Sequence, residues 1–237
     1  VVGSNGGVPE TRCFMKEADL ILMIGCRAGS VTTERWRYPA PGSVTVAHID
    51  SDPSVIGANY PTEVAMVGDA KLALAALNAE IGAPPPPTRD LNKAAVAAAK
   101  TAKFQTFHAL ARSEERPIRP ERLIAALSEL LDDSAVIIAD PGTPCPYLSA
   151  YYPVLRSGRQ FFSNRAHGAL GYSLPASVGA HFGRPGAKVV AVMGDGSFGF
   201  NAGELETVVR LGLPITFVVI TNGVFGWIKA GQKTGFE

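Results

Sequence analysis

The sequence predicts an α/β protein built of two doubly wound parallel-sheet domains joined by a proline-rich and helical linker. Three observations carry that prediction. Apolar runs of strand length end repeatedly at Gly or Asp and are followed by helical patterns. Four consecutive prolines, Pro84 to Pro87, interrupt the chain, and the strand and helix rhythm resumes beyond them. With 237 residues, 46% of them hydrophobic and 18% charged, there is enough chain to bury a core in each domain.

Residues 18–25 form an apolar run stopped by glycine, and residues 44–50 form a second, β-rich one; both read as buried parallel strands. Residues 63–68 read as a third strand. Asp69 then stands where it can cap a helix with apolar positions Leu72, Leu74, Ala75 and Leu77. The stretch 82–89 is expected to run as stiff polyproline II. The alanine-rich stretch 91–111 is expected to be a linker helix lying on a surface, because it has helix propensity but little amphipathicity. From Glu121 a helix through Leu123, Leu127 and Leu130 leads to a strand over 135–139 that ends at Asp140. A strand over 188–193, a helix over 202–211 and a strand over 215–220 complete the pattern, which demands a parallel sheet with right-handed crossovers.

A net charge of +1 provides no field to steer a polyanion, so neither nucleic acid nor a membrane surface is an expected partner. No apolar run approaches the roughly 20 residues of a membrane helix, and no charged-then-apolar leader is visible. Cys13, Cys26 and Cys145 are odd in number and widely spaced, which argues against a disulfide framework or a CxxC metal site and fits a reducing cytoplasm. The chain begins at Val1 without methionine and reads as an excerpt, truncated at its C-terminus just after a strand-and-loop unit.

Asp195, in Gly194-Asp195-Gly196-Ser197, directly follows one apolar strand, and Asn222, in Thr221-Asn222-Gly223, directly follows the next. Between them Asn201 and Glu204 read as a capping box, Leu205, Val208 and Val209 as an apolar stripe, and Gly212 with Pro214 as a stop. The spacing is therefore one complete βαβ crossover. Neighbouring strands would bring both polar side chains to the carboxyl edge of the sheet, where open α/β folds place ligands. A carboxylate and an amide carbonyl are hard donors suited to Mg²⁺ or Ca²⁺, and the carbonyl of Val224 could add a third protein oxygen. Magnesium fills its octahedron with water and phosphate oxygens, so phosphate is implied. Gly194, Gly196 and Gly223 admit close backbone approach, and Ser197 offers a hydroxyl and an N–H to an anion. Singly, each of these motifs reads first as an ordinary turn at a strand end; the pairing is what points to a site.

This pattern resembles the thiamine-diphosphate-dependent 2-oxo acid decarboxylase and carboligase family, acetolactate synthase-like, whose signature runs from Gly-Asp-Gly to Asn-Asn. Residues 194–198, Glu204-Leu205, Thr207, Leu213-Pro214 and Asn222 fall where the family has them, with Thr221 replacing the first asparagine. The run 168–180 is similar to the segment that passes beneath the cofactor, and Asp140-Pro141-Gly142-Thr143 to its diphosphate loop, although Thr143 and Pro144 stand where many carboligases carry glutamine and histidine. Ile24 to Arg27, His48 to Pro53 and Val67 to Lys71 are similar to the family's central domain.

The resemblance implies a partial, Rossmann-like central domain over 1–82, a linker over 83–119 and a diphosphate-binding domain over 120–237. It implies that Mg²⁺ is held by Asp195, Asn222 and Val224. Thiamine diphosphate would be bound by Gly142, Thr143, Gly168, Leu170, Gly194, Gly196, Ser197, Asn222, Val224, Phe225 and Gly226. Leu170 would serve catalysis as the apolar wedge that brings the aminopyrimidine nitrogen near the thiazolium carbon; from periodicity alone it is equally a core leucine. His167, just ahead of Gly168, reads as structural. The resemblance leaves FAD possible, with Arg27 for a phosphate and Asp50 for a ribose, but does not favour it: Gly25 and Gly29 make no GxGxxG fingerprint, and Arg27 and Asp50 read as structural by default.

The implied substrate is a 2-oxo acid or aldehyde. The implied partner is the N-terminal pyrimidine-binding domain of a neighbouring subunit, which carries the activating glutamate, in a homodimer or homotetramer. Acetolactate-synthase-like carboligation is the first reading and benzoylformate-type decarboxylation the second. A flavin- or nicotinamide-dependent oxidoreductase and a non-catalytic cofactor-binding subunit are the alternatives of other classes.

Overall fold

The computed structural model describes residues 8–83, 86–158, 160–164 and 167–236, apart from the side chains of Thr11 and residues 86–92. It divides into two units, Val1–Thr106 and Phe107–Glu237. In the first unit helix α1 (Pro9–Glu17) precedes strands β1 (Leu20–Ile24), β2 (Thr45–Asp50) and β3 (Val64–Val67), which pair in parallel in the order β1-β2-β3. Met23, Ala28, Val46 and Tyr60 form the core here, with Ile21 and Val44 packed against it. Helix α2 (Ala70–Ile81) is capped as expected, Asp69 Oδ1 accepting from the N–H of Leu72 at 3.0 Å.

Strand β1 corrects the expectation of a buried strand. Leu20, Leu22 and Ile24 are 54%, 37% and 39% exposed while Met23 is buried. Alternate side chains of a strand point to opposite faces, and on β1 the described residues cover only one of them.

The proline stretch is also corrected in part. Pro84 and Pro85 lie outside the described residues, but Pro86 and Pro87 open helix α3 (Pro86–Ala111) rather than extending as polyproline II. Proline is tolerated in a first helical turn, where the N–H it lacks would have had no partner. The division between the units falls within α3. Lys103 and Phe107 are buried along this otherwise largely exposed helix, and within the second unit Phe107 stacks on Tyr151 with centroids 4.7 Å apart.

In the second unit α4 (Pro120–Leu130) leads into β4 (Val136–Ala139) and α5 (Pro144–Tyr151) follows; then come β5 (Phe161–Phe162), α6 (Ser173–Gly183) and β6 (Val189–Gly194). After β6 run α7 (Asp195–Asn201), a 3₁₀ turn (Ala202–Glu204), α8 (Leu205–Arg210), β7 (Ile215–Ile220) and α9 (Gly226–Phe236). The four strands are parallel in the order β5-β4-β6-β7. Every residue of β4, and β6 through Met193, is buried, which explains their unbroken apolar runs: both faces of the sheet are covered. Leu174 and Val178 of α6 and Val208 of α8 pack with Ala191 and Met193 on one face, and α5 lies against β4 and β6.

The capping box at Asn201 and Glu204 is not formed, and the helix expected over 202–211 is a 3₁₀ turn followed by the short α8, with α7 ahead of both. The helical stretch starts at Asp195, directly after the strand. Asn201 makes no cap; its amide donates instead to the carbonyl of Gly171 at 3.0 Å, and Glu204 accepts from Thr207 Oγ1 at 3.3 Å. The stop is where the sequence places it, with Gly212 at φ +59 beyond the last turn of α8. The described chain also continues past the last loop into α9, which the sequence reading did not anticipate.

Candidate active site

From β4 the chain moves outward to β5, whereas from β6 it moves outward the other way to β7. The order reverses between β4 and β6, and the crevice outside their carboxyl ends is where doubly wound sheets bind ligands. Asp140 ends one of these strands and Asp195 follows the other.

The register of β6 and β7 pairs Gly194 with Ile220, so the residues just beyond the two strands meet. Asp195 Oδ2 accepts from Thr221 Oγ1 and from the N–H of Gly223, each at 2.9 Å, and Oδ1 accepts from the N–H of Gly196 at 2.9 Å. Donors to a carboxylate favour its charged form. They hold Asp195 below its ordinary value of 3.8, the Thr221 hydroxyl first and the Gly223 amide second, against an opposing effect of burial. Asn222 Oδ1 accepts from the N–H of Val224 at 3.1 Å, which folds the loop back over Asp195. These bonds take up most of the hydrogen-bonding capacity of the carboxylate, on which the Asn222 amide also acts, and leave one of two lone pairs on the amide oxygen.

That donor set fits a hard divalent cation. Among the described residues no cluster of three or more His, Cys, Asp or Glu forms a soft or all-carboxylate cage. One carboxylate and one amide oxygen in adjoining loops are the kind of sparse, hard donor set that suits an ion completing its shell with water and phosphate.

Glycines bring the remaining expected residues together. A Cβ on Gly226 would lie 3.0 Å from Asn222 Nδ2 and 3.9 Å from Thr143 Oγ1. A Cβ on Gly142, at φ +115, would lie 4.0 Å from Leu170 Cδ2. A Cβ on Gly196 would lie 2.5 Å from the Phe225 ring, so that ring rests directly on the Gly196 backbone. Gly142, Thr143, Leu170, Gly196, Asn222, Phe225 and Gly226 therefore converge on one sheet edge. Ser197 is buried in the first turn of α7, Val224 is exposed in the loop, and Gly168 is exposed at φ +68. His167 is exposed.

Two residues at this edge, both visible in the sequence, make bonds that sequence reasoning missed. Asp140 is fully buried, its Oδ1 accepting from the N–H of Gly171 at 3.1 Å and its Oδ2 from the N–H of Ser173 at 2.8 Å. Asn201 takes the other side of Gly171, through its carbonyl. The available signal was Asp140 itself, a charge at the end of a wholly apolar strand, which must find hydrogen bonds if it is buried. In the first unit Asp50 Oδ1 accepts from the N–H of Asp52 at 2.9 Å, a local turn contact, and the Arg27 carbonyl accepts from the Asn59 side-chain amide at 2.7 Å, a bond between two loops.

A parallel sheet that gathers one anchored carboxylate, an asparagine amide and closely approached glycines at its switch point defines the class: an α/β protein with a built polar ligand site. The chain belongs to the thiamine pyrophosphate enzymes. Residues 140–237 match the family's C-terminal thiamine pyrophosphate binding domain, and residues 1–77 match its central domain. It is similar to a probable acetolactate synthase large subunit of Methanocaldococcus jannaschii, 28% identical over 96% of this chain and 38% of that protein. It is similar also to the acetolactate synthase large subunit of Haemophilus influenzae, 30% identical over 95% of this chain and 39% of that one. A putative thiamine pyrophosphate-containing protein of Bacillus subtilis is 28% identical over 92% and 36%. The chain thus spans well under half the length of these curated relatives.

Proposed function

We propose that this chain is the cofactor-holding part of a thiamine-diphosphate- and Mg²⁺-dependent enzyme that joins carbon to carbon from 2-oxo acid substrates, an acetolactate-synthase-like carboligase. The observation that carries this reading is the Asp195 carboxylate fixed by Thr221 and Gly223 across the β6/β7 edge, with Asn222 in the same loop. Asp195, Asn222 and the Val224 carbonyl hold Mg²⁺. Gly142, Thr143, Gly194, Gly196, Ser197 and Gly226 surround the diphosphate, with Phe225 packed over Gly196. Gly168 and Leu170 face the pyrimidine, with Leu170 as the wedge between the two rings. Bound thiamine diphosphate supplies the electron sink that carbon–carbon chemistry beside a carbonyl needs.

The acetolactate synthase names of the relatives favour carboligation over simple decarboxylation. The activating glutamate is assigned to the pyrimidine-binding domain of a neighbouring subunit in a homodimer or homotetramer. No helix among the described residues is long and apolar enough to cross a membrane, and the three cysteines are free, which supports a cytoplasmic protein.

Calorimetry on the intact protein containing this chain, titrated with thiamine diphosphate with and without Mg²⁺, tests the proposal. Tight metal-dependent binding that Asp195→Ala abolishes is expected. Metal-independent binding, or an Asp195→Ala protein that binds as wild type does, would overturn it.

A further inference from the structure

Both polar groups of the Gly171 backbone are held by side chains from separate elements. Its N–H donates to Asp140 Oδ1 at 3.1 Å, and its carbonyl accepts from Asn201 Nδ2 at 3.0 Å. Asp140 spends its other oxygen on the N–H of Ser173 at 2.8 Å. The contacts are close: Gly171 sits at φ +86, and a Cβ there would lie 2.7 Å from Asn201 Nδ2 and 3.0 Å from Phe200 Cβ.

The three segments joined in this way are the ones that must act together. Asp140 stands one residue ahead of the Gly142-Thr143 loop, Gly171 directly follows Leu170, and Asn201 ends the helix that Asp195 begins. A wholly buried carboxylate is costly unless its hydrogen bonds are satisfied, and an exposed Ser or Thr could have capped α6 without that cost. What Asp140 adds is a fixed distance between the end of β4 and the residue beside Leu170. Asn201 extends the same constraint to the Asp195 helix.

We infer that Asp140 and Asn201 are positioning residues that clamp Gly171 and thereby set Leu170 relative to the Asp195 anchor, so that ring alignment is controlled separately from diphosphate affinity. The inference rests on the cofactor reading above. Neither residue touches the metal or the diphosphate in that reading. Loosening the clamp therefore leaves the anchor intact and degrades alignment, and small misplacements at a reacting centre are costly in rate.

The test uses the intact protein and two variants, Asn201→Ala and Asp140→Asn, with three readouts. These are the thermal midpoint, the calorimetric Kd for thiamine diphosphate in Mg²⁺, and the rate at which the thiazolium C2 proton of the bound cofactor exchanges with deuterium. Asn201 is only half-buried, so its variant keeps the test valid even where Asp140→Asn fails to fold. For Asn201→Ala, Kd is expected to stay within about threefold, while exchange slows by about tenfold or more. Unchanged exchange overturns the inference. So does a fall in exchange matched by an equal loss of affinity, which marks a merely structural contact. A wild-type protein that binds no thiamine diphosphate overturns the cofactor reading and this inference with it.

Discussion

The Thr221 hydroxyl donates to the Asp195 carboxylate at 2.9 Å, joining the residues that directly follow two adjacent parallel strands. Parallel pairing in register makes this meeting unavoidable once Gly194 stands opposite Ile220. In this chain the donor is the Thr221 hydroxyl, at the position where the family signature has its first asparagine.

Thr221→Val removes that donor at nearly constant volume. The Thr221 bond is the foremost reason the Asp195 pKa is depressed, so the pKa in the variant rises toward 3.8, while the Gly223 and Gly196 amides still restrain it. A carboxylate with a depressed folded pKa contributes stability that is present above the unfolded value and lost as pH falls through the folded one. The variant therefore loses this contribution at a higher pH than wild type, within the acid range below about pH 4. A carbon-detected NMR titration of Asp195 in both proteins checks it; coincident curves would show that Thr221 does not govern the carboxylate.

Gly196→Ala places a methyl 2.5 Å from Phe225 Cε1, well inside contact distance. Phe225 is 54% exposed, so its ring can swing away and the fold loses little. The loop bearing Asn222 and Gly226 must move with it. We expect a thermal midpoint close to wild type together with a loss of thiamine diphosphate affinity of about tenfold, or ~1.4 kcal/mol. A large fall in the midpoint with unchanged affinity would contradict this.

Metal exchange separates the hard-donor site from a soft one. Chelator treatment is expected to remove thiamine diphosphate binding, and Mg²⁺, Mn²⁺ or Ca²⁺ to restore it, because carboxylate and carbonyl oxygens suit those ions. Restoration by Zn²⁺ alone, followed by calorimetry, would argue against Asp195 and Asn222 as the ligands.

What was legible in the sequence is what local chemistry dictates. Unbroken apolar runs marked β4 and β6, a β-branched and aromatic run marked β7, and the Asp195 and Asn222 turns could be read because each follows its strand directly. Asp69 announced its cap in the same way. Asp140 could be seen at the end of its strand, but its role could not, because its partners, the amides of Gly171 and Ser173, are remote in sequence. Asn201 misled for the same reason: its spacing to Glu204 satisfies a local capping rule, but a carbonyl brought close by tertiary packing wins its amide. Helices α5 and α6 were hidden by Pro144, Pro146 and Pro175, which look like helix breakers yet occupy first turns, where proline is harmless. The exposed face of β1 was unreadable because an apolar run shows that a strand can be covered, not that it is.

Gly171→Ala tests the tightest point of the structure. The substitution meets two costs: φ +86 is a region that L-residues avoid, and the new methyl would lie 2.7 Å from Asn201 Nδ2 and 3.0 Å from Phe200 Cβ. Backbone strain and overpacking each typically cost about 1 to 3 kcal/mol, so urea denaturation should show a combined loss of about 3 kcal/mol. The double variant Gly171→Ala/Asn201→Ala removes the nearer clash but keeps the strain, and it also removes the amide that bonds the Gly171 carbonyl. If the clash is real, the effects are non-additive, with the double variant more stable than the sum of the single losses by about 1 kcal/mol. Additive losses would mean that the Gly171 backbone conformation alone requires glycine, and that Asn201 yields to the methyl without resistance.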